Sequence, residues 1–460
     1  MPGLTPLKPP MSPIPQTRRL TALALARALL AGAPSAAGLA ARMRVCLGGD
    51  APWLQPLAER CARWPADHWR RLTPRTLASV IEHDAGYLQA CAAHDPAQRP
   101  VARAHLLAHH PAMQPLPLAL EGHALPDWPD SAALAAGLGT TPAGLWRLTR
   151  PAAWQRRRPM SQQHYRSALL AKRSGGWRLL EVPEPYLMVL QRRVLDMLLD
   201  RVPPHEAAFG HARERSVLQH ARHHAGQPVL LKFDLQDFFS SVRAARVHAL
   251  FATLGYPEGV ARALTALCTV ATPEPVLRRL QGEGGLGWQQ MQRLRSAHLP
   301  QGAPSSPALA TLCAFGLDLR LDGLARVLGA RYSRYVDDIV LSGGPPLAAA
   351  RQRIAAWVGS IALDEGFALN HRKTRCLQAA QSQQVCHIGV NRHANLPRAD
   401  FDRLKAVLHL CATRGPGSQN RDAHPHWREH LRGRVAWAVQ LNPAKGQRLQ
   451  RVFDRIDWGC

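Results

Sequence analysis

The sequence lacks three things. Its nine cysteines, scattered from Cys46 to Cys460, include no Cys-x-x-Cys pair. An odd, unpatterned count argues against a disulfide framework and against a zinc ribbon, and a reducing cytoplasm is the simplest setting for it. No uninterrupted apolar run reaches the ~18 residues of a transmembrane helix, so no membrane partner is expected. Acidic residues are scarce, with 32 Asp and Glu against 58 Lys and Arg, a formal net charge of +26. Such an excess suggests a polyanionic partner, with nucleic acid ahead of an anionic membrane. A composition rich in Ala, Arg, Pro and Gly offers a blander source for the same excess.

What is present fits a folded chain. Hydrophobic residues make up 46% and charged residues 20% of 460 positions. That length suffices for about three domains. Residues 1–18 are Pro-rich and basic and are expected to be a disordered tail. "TRRLTALALARALLAGAPSAAG" has the arginines and apolar run of a signal peptide, but Arg27 interrupts the run. A basic amphipathic helix is the expectation. Residues 19–150 read as a helical N-terminal region rich in Ala and Leu. His105, His109 and His110 within it have metal-ligating spacing, but no acidic or cysteine partner lies nearby, so they are read as exposed helix histidines.

"DSAALAAGLGTTPAGLWRLTR" reads as helix, turn, helix, with Asp130 and Thr141 as capping residues. It is expected to be a packing or RNA-docking element rather than a reader of DNA sequence. "RPAAWQRRRPMSQ" then marks a boundary, and short strands begin to alternate with helices. "LLAKRSGGWRLLEVP" is a hairpin turning at Gly175-Gly176, and "YLMVLQRRVLDMLLDRV" is an apolar-periodic helix.

"RYSRYVDDIVLSG" places Asp337 and Asp338 between two β-prone runs. The pattern predicts a tight hairpin with both carboxylates at its tip. Adjacent carboxylates repel and tend to raise one pKa. A divalent cation removes that penalty, and oxygen donors suit magnesium. In "VLLKFDLQDFFSSV", Asp234 ends a second apolar run. If the two strands are neighbours, Asp234 and Asp337 can share metals. Two ions ~3.5–4 Å apart suit an in-line phosphoryl displacement. Taken singly, the paired aspartates also read as a solvated turn, and Asp234 as a helix cap.

The series "FDLQDFF", "LPQGAPSSPALATL", "YVDD" and "GFALNHRKTR" resembles, in order, four motifs of the reverse transcriptases. The resemblance spans about residues 160–460 and is strongest to the retron-type bacterial branch. It implies an α+β right-hand polymerase, with fingers and an antiparallel palm sheet over 160–395 and a helical thumb over 396–460. It implies an RNA-directed DNA polymerase using dNTPs and two Mg2+ ions, with Mn2+ as an alternative. A structured noncoding RNA and its DNA product would be partners, and the branch leaves room for an effector or toxin protein. A non-retron defence polymerase and an inactive nucleic-acid-binding protein are the competing readings.

The resemblance assigns Asp234, Asp337 and Asp338 as catalytic metal ligands, with the backbone carbonyl of Leu235 as a further ligand. Phe239 falls where the family places the aromatic ring that excludes a ribose 2′-hydroxyl. Phe238 and Phe239 also read as core residues. Lys172, Arg173 and Arg178 flank a hairpin whose basic tip can close over a triphosphate. Gln301 and Gly302 form a loop where glycine permits close backbone approach to the template base pair. Lys373 matches a lysine held to protonate pyrophosphate, and an exposed lysine is the plainer alternative.

Two blocks depart from the branch. Its Val-Thr-Gly triplet, implicated in recognising the cognate RNA, reads Val385, Cys386, His387 here. Its Asn-Ala-x-x-His block reads "HARHH", so His220 replaces Asn, and the closing histidine is either His223 or His224.

Overall fold

A computed structural model of the chain describes residues 16–460, apart from 66–67, 70–71, 96–97, 104–112, 115, 118–119, 121, 151–154, 172–175, 283–286 and 460. The histidines at 105, 109 and 110 lie outside the described residues, as does the tail over 1–15. The chain divides into two compact units, Met1–Ala112 and Met113–Cys460.

The first unit is helical. Its helices are Gln16–Leu30, Ala36–Leu47, Leu54–Ala62, Pro74–Glu82 and Ala85–Cys91. Leu25, Leu29, Leu39, Met43, Leu54, Leu77 and Ile81 are fully buried in its core. The run that resembled a signal peptide is a helix packed into this core, with Arg27 left exposed. Tyr87 Oη donates to the Arg18 carbonyl at 2.6 Å, which ties helix Gln16–Leu30 to helix Ala85–Cys91. Among the described residues no helix is long and apolar enough to cross a membrane.

The expected helical region of residues 19–150 is shared between the two units. Helices Ser131–Gly137 and Pro142–Leu148 carry the predicted caps: Asp130 accepts from the amides of Ala132 and Ala133, both at 2.8 Å, and Thr141 accepts from that of Gly144 at 3.0 Å. Their apolar faces, Leu134, Leu138, Leu145 and Leu148, join the main core of the second unit. The pair is thus built into that unit by packing.

The second unit is α+β. Strands β1 (Tyr165–Ala171) and β2 (Trp177–Pro183) form an antiparallel hairpin. A four-stranded sheet follows, made of β3 (Val229–Asp234), β4 (Arg331–Tyr335), β5 (Asp338–Gly343) and β6 (Arg375–Gln378). Its spatial order is β4-β5-β3-β6, antiparallel throughout. Side chains alternate between faces along each strand. Leu231, Phe233, Ile339 and Leu341 enter the main core, while Leu230 and Val340 enter a smaller cluster with Leu218, Ala221, Val385 and Ile388. The sheet is covered on both faces, which is why β3 reads as an unbroken apolar run. Strands β7 (Gln384–Val385) and β8 (Ile388–Gly389) form a short second hairpin. Helices Arg398–Arg414, Trp427–Leu441 and Pro443–Phe453 close the chain around their own core.

Candidate active site

β3 ends on Asp234. The antiparallel register sets Asp234 opposite Asp338, the first residue of β5. Across the other edge of β5, Tyr335 pairs with Asp338, which leaves Val336 and Asp337 as a two-residue loop. Loops of this length place a positive φ at the first central position, so that the turn follows the strand twist. Val336 obeys, with φ of 59°. For a β-branched residue this conformation costs of order 1–3 kcal/mol.

Three contacts hold that turn. The Leu235 amide donates to the Asp337 carbonyl at 2.9 Å. Arg334 Nη1 donates to the Val336 carbonyl at 2.9 Å. Behind the turn lies Gly210, where a Cβ would come within 2.6 Å of the Val336 nitrogen and 2.8 Å of its Cγ2. Only glycine fits there.

The three carboxylates thus share one sheet end, and their electrostatics follow. Burial, then the charges of Asp338 and Asp234, push Asp337 up to about 6. Burial also raises Asp338. Lys373 Nζ lies 2.8 Å from Asp234 Oδ2, and that hydrogen bond raises the lysine pKa. The 3-10 turn His371–Lys373 delivers it, anchored by the Asn370 amide donating to the Asp234 carbonyl at 2.8 Å. Lys373 is therefore an exposed lysine with a specific acidic partner. Among the described residues, no three His, Cys, Asp or Glu side chains already converge as a metal cage.

The remaining expected residues distribute as follows. Leu235 is buried beside Asp337. Phe238 is core, stacked on Phe367 with centroids 5.4 Å apart, whereas Phe239 is half-buried. Gly302 has φ of 127°, and its close neighbour is β2: a Cβ would lie 3.2 Å from both the Glu181 carbonyl oxygen and Val182 Cγ2. The Gln301 carbonyl accepts from the Glu181 amide at 2.8 Å, so this loop is bonded to the β1–β2 hairpin. Arg178 is exposed on β2 opposite Leu170. Lys172 and Arg173 lie outside the described residues.

The two departing blocks also have locations. His224 is the buried closing histidine, with Nδ1 2.7 Å from Ser342 Oγ and Nε2 2.6 Å from Ser333 Oγ, while His223 is half-buried. His220 Nδ1 lies 2.8 Å from the same Ser333 oxygen. The block therefore grips the β4–β5 hairpin from its second face. Cys386 and His387 form the tip of the β7–β8 hairpin, with φ of 46° and 63°. Burial and the Asp338 charge push Cys386 up to about 12, so the thiol stays protonated near this site.

Sequence reasoning passed over Arg334, Asp318, Glu181, His298 and Gly210. The one available signal was Arg334 itself, a charge at an inward-facing strand position two residues from Tyr332.

Residues 170–391 match the family model described as reverse transcriptase (RNA-dependent DNA polymerase). The retron Mx65 reverse transcriptase of Myxococcus xanthus is 37% identical over 340 residues, covering 72% of this chain and 73% of the relative. The retron Mx162 reverse transcriptase of the same organism is 34% identical over 302 residues, 62% of this chain and 59% of the relative. The retron Ec86 reverse transcriptase of Escherichia coli is 28% identical over 299 residues, 64% and 81%. The antiparallel sheet with its acidic end, inside this match, defines an RNA-directed DNA polymerase of right-hand architecture. Within that class, the chain belongs to the retron reverse transcriptases.

Proposed function

We propose that the chain binds a structured noncoding RNA and copies part of it into DNA, acting in the cytoplasm in anti-phage defence. Synthesis starts from a guanosine 2′-hydroxyl of that RNA and leaves a branched RNA–DNA product. The observation that carries the reading is the register of β3 against β5, which faces Asp234 with Asp338 and sets Asp337 beside them.

The donor set fits a pair of hard divalent cations. All three side chains supply carboxylate oxygens, and their mutual repulsion at a partly buried site is what a cation relieves. Asp234, Asp337, Asp338 and the Leu235 carbonyl would hold them. When bound, magnesium or manganese supplies charge neutralisation at the reacting phosphate and lowers the pKa of the attacking hydroxyl.

The chain's own groups do the rest. Lys373, held at Asp234, offers its Nζ proton to the leaving pyrophosphate. The half-buried Phe239 ring sits under the sugar and excludes a 2′-hydroxyl. Gln301 and Gly302 fix the template side, and Lys172, Arg173 and Arg178 screen the triphosphate. The helical N-terminal unit and the basic surface of the thumb contact RNA, so affinity falls steeply with salt.

The test is primer extension by a purified Asp337→Asn, Asp338→Asn variant. It should lose dNTP incorporation and keep RNA binding, and retained incorporation removes the catalytic assignment. Sequencing the nucleic acid that co-purifies with the wild-type protein tests the product. One covalent RNA–DNA branch of defined sequence supports the retron reading. Untemplated homopolymer favours a different defence polymerase, and no incorporation on any primer-template favours an inactive binding protein.

A further inference from the structure

Arg334 is 0% exposed, yet it carries a charge. Its guanidinium makes a two-pronged ion pair with Asp318 on helix Phe315–Val327, Nε to Oδ1 at 2.7 Å and Nη2 to Oδ2 at 2.6 Å. Tyr332, two residues earlier on the same face of β4, donates its hydroxyl to the same Oδ1 at 2.7 Å. Asp318 is also 0% exposed. A buried pair of this kind is poor evidence of stabilisation, since apolar residues of similar volume often do as well. Its presence here calls for another explanation.

The Nη1 nitrogen, outside the ion pair, supplies one. Arg334 Nη1 donates to the carbonyl of Val336, the positive-φ residue directly before Asp337. Because a peptide unit is planar, fixing the Val336 carbonyl also fixes the Asp337 amide and Cα. The Arg334 Cζ lies 5.5 Å from the centroid of Phe238, the neighbour of Phe239. The Arg334 backbone is fixed too, with its amide donating to the Ala207 carbonyl and its carbonyl accepting from the Phe209 amide, both at 2.8 Å. One side chain thus spans the segments that carry Asp337, Phe239 and the helix behind them.

We propose that Arg334, held by Asp318 and Tyr332, is a positioning residue that aims the Asp337 and Asp338 carboxylates by pinning the Val336 carbonyl. The proposal rests on the polymerase reading above. The ion pair fixes the guanidinium plane so that Nη1 is aimed at the turn, while Nη2 also reaches the Thr311 carbonyl at 3.5 Å. Lysine has the charge without the fork and cannot serve Asp318 and Val336 together. Misplacing a catalytic group by about 1 Å can cost on the order of 100-fold in rate.

The experiment compares two variants with wild type. In the first, Asp318→Leu, Tyr332→Phe and Arg334→Met replace the whole buried polar group at once and leave no orphaned charge. The second is Arg334→Lys. Each is measured for thermal unfolding, RNA binding, kcat and KM for dNTP in primer extension, and binding of Mn2+ alone by water-proton relaxation. The triple variant is expected to fold and bind RNA as wild type does. Its kcat should fall about 100-fold with KM for dNTP within about 2-fold, and Mn2+ binding should weaken severalfold. Arg334→Lys should lie between the two. Wild-type kcat and Mn2+ affinity in a folded triple variant overturn the proposal, as does loss of RNA binding in step with activity. If wild type itself incorporates no dNTP, the polymerase reading fails, and the Mn2+ measurement still decides whether Arg334 aims the carboxylates.

Discussion

Glu181 and His298 share a hydrogen bond of 3.0 Å between carboxylate Oε2 and imidazole Nε2, with side chains only 2% and 1% exposed. The other Glu181 oxygen accepts from Thr272 Oγ1 at 2.7 Å, and His298 Nδ1 lies 2.8 Å from the Ser296 carbonyl. Both ring nitrogens face acceptors, so both must carry protons. Burial opposes that charge, but the Glu181 carboxylate and its hydrogen bond outweigh it and raise the His298 pKa. The pair fastens β2 to the segment that leads into Gln301 and Gly302, on either side of the Glu181 amide bond to Gln301.

The pair makes stability depend on pH in a definite direction. A histidine raised in the folded state contributes its full stabilisation below the unfolded pKa of about 6.5 and loses it as pH rises through the folded value. Urea unfolding at pH 6 and pH 9 should show wild type losing stability over that span. Glu181→Gln leaves a buried imidazole without its counter-charge and should cost about 3 kcal/mol at pH 6. Its loss should shrink toward pH 9. A loss of the same size at both values would mean that His298 is neutral throughout.

Asp337 has the opposite bearing on stability. Its folded pKa is raised to about 6, so the folded state holds the proton more tightly than the unfolded chain does. Folding is unpenalised below about pH 4, and the penalty grows from there and levels off above about pH 6, at about 3 kcal/mol. Asp337→Asn should therefore melt at a higher temperature than wild type at pH 8 in chelator, with the difference vanishing near pH 4. Added Mg2+ should raise the wild-type melting temperature and close the gap. An Asn variant with no advantage at pH 8 would show that the site carries no such repulsion.

These residues divide by how far a sequence can reveal them. Asp234, Asp337 and Asp338 were legible because acids that interrupt apolar strand runs need a partner, and strand alternation left them at a sheet end. The β1–β2 and β4–β5 hairpins were legible from their turns. Asp318 was not, because a lone acid on a helix reads as a solvated face until β4 is packed against it. Burial settles on His224, where counting through Asn-Ala-x-x-His from His220 also lands, whereas telling Phe238 from Phe239 as the core ring needed burial alone, since adjacent residues give no periodic signal that separates them. Helices 131–148 carry the same Ala- and Leu-rich pattern as those of the first unit, so only tertiary packing assigns them to the second.

Phe238 and Phe239 should separate by phenotype. Phe238→Ala removes a ring from the core and should destabilise by about 3–5 kcal/mol. Phe239→Ala removes a half-buried ring and should cost less stability while raising ribonucleotide incorporation on the order of 10-fold. Single-nucleotide extension with matched dNTP and rNTP measures the ratio. An unchanged ratio in folded Phe239→Ala would assign the ring to packing alone.

His224 should steepen the acid side of the stability curve. Burial lowers its pKa well below the ordinary value, and burial likewise depresses His220, to about 3. Such groups leave stability intact above the unfolded pKa of about 6.5, and it is lost as pH falls and the unfolded chain takes up protons. Together with His298, which loses its contribution on the alkaline side, they should give a stability maximum near neutrality. His224→Gln retains hydrogen-bonding groups for Ser333 and Ser342 but cannot titrate. It should flatten the decline between pH 6.5 and pH 4 and leave the alkaline limb untouched. Melting curves across that range decide the matter, and an acid limb as steep as wild type would assign the proton uptake to groups other than His224.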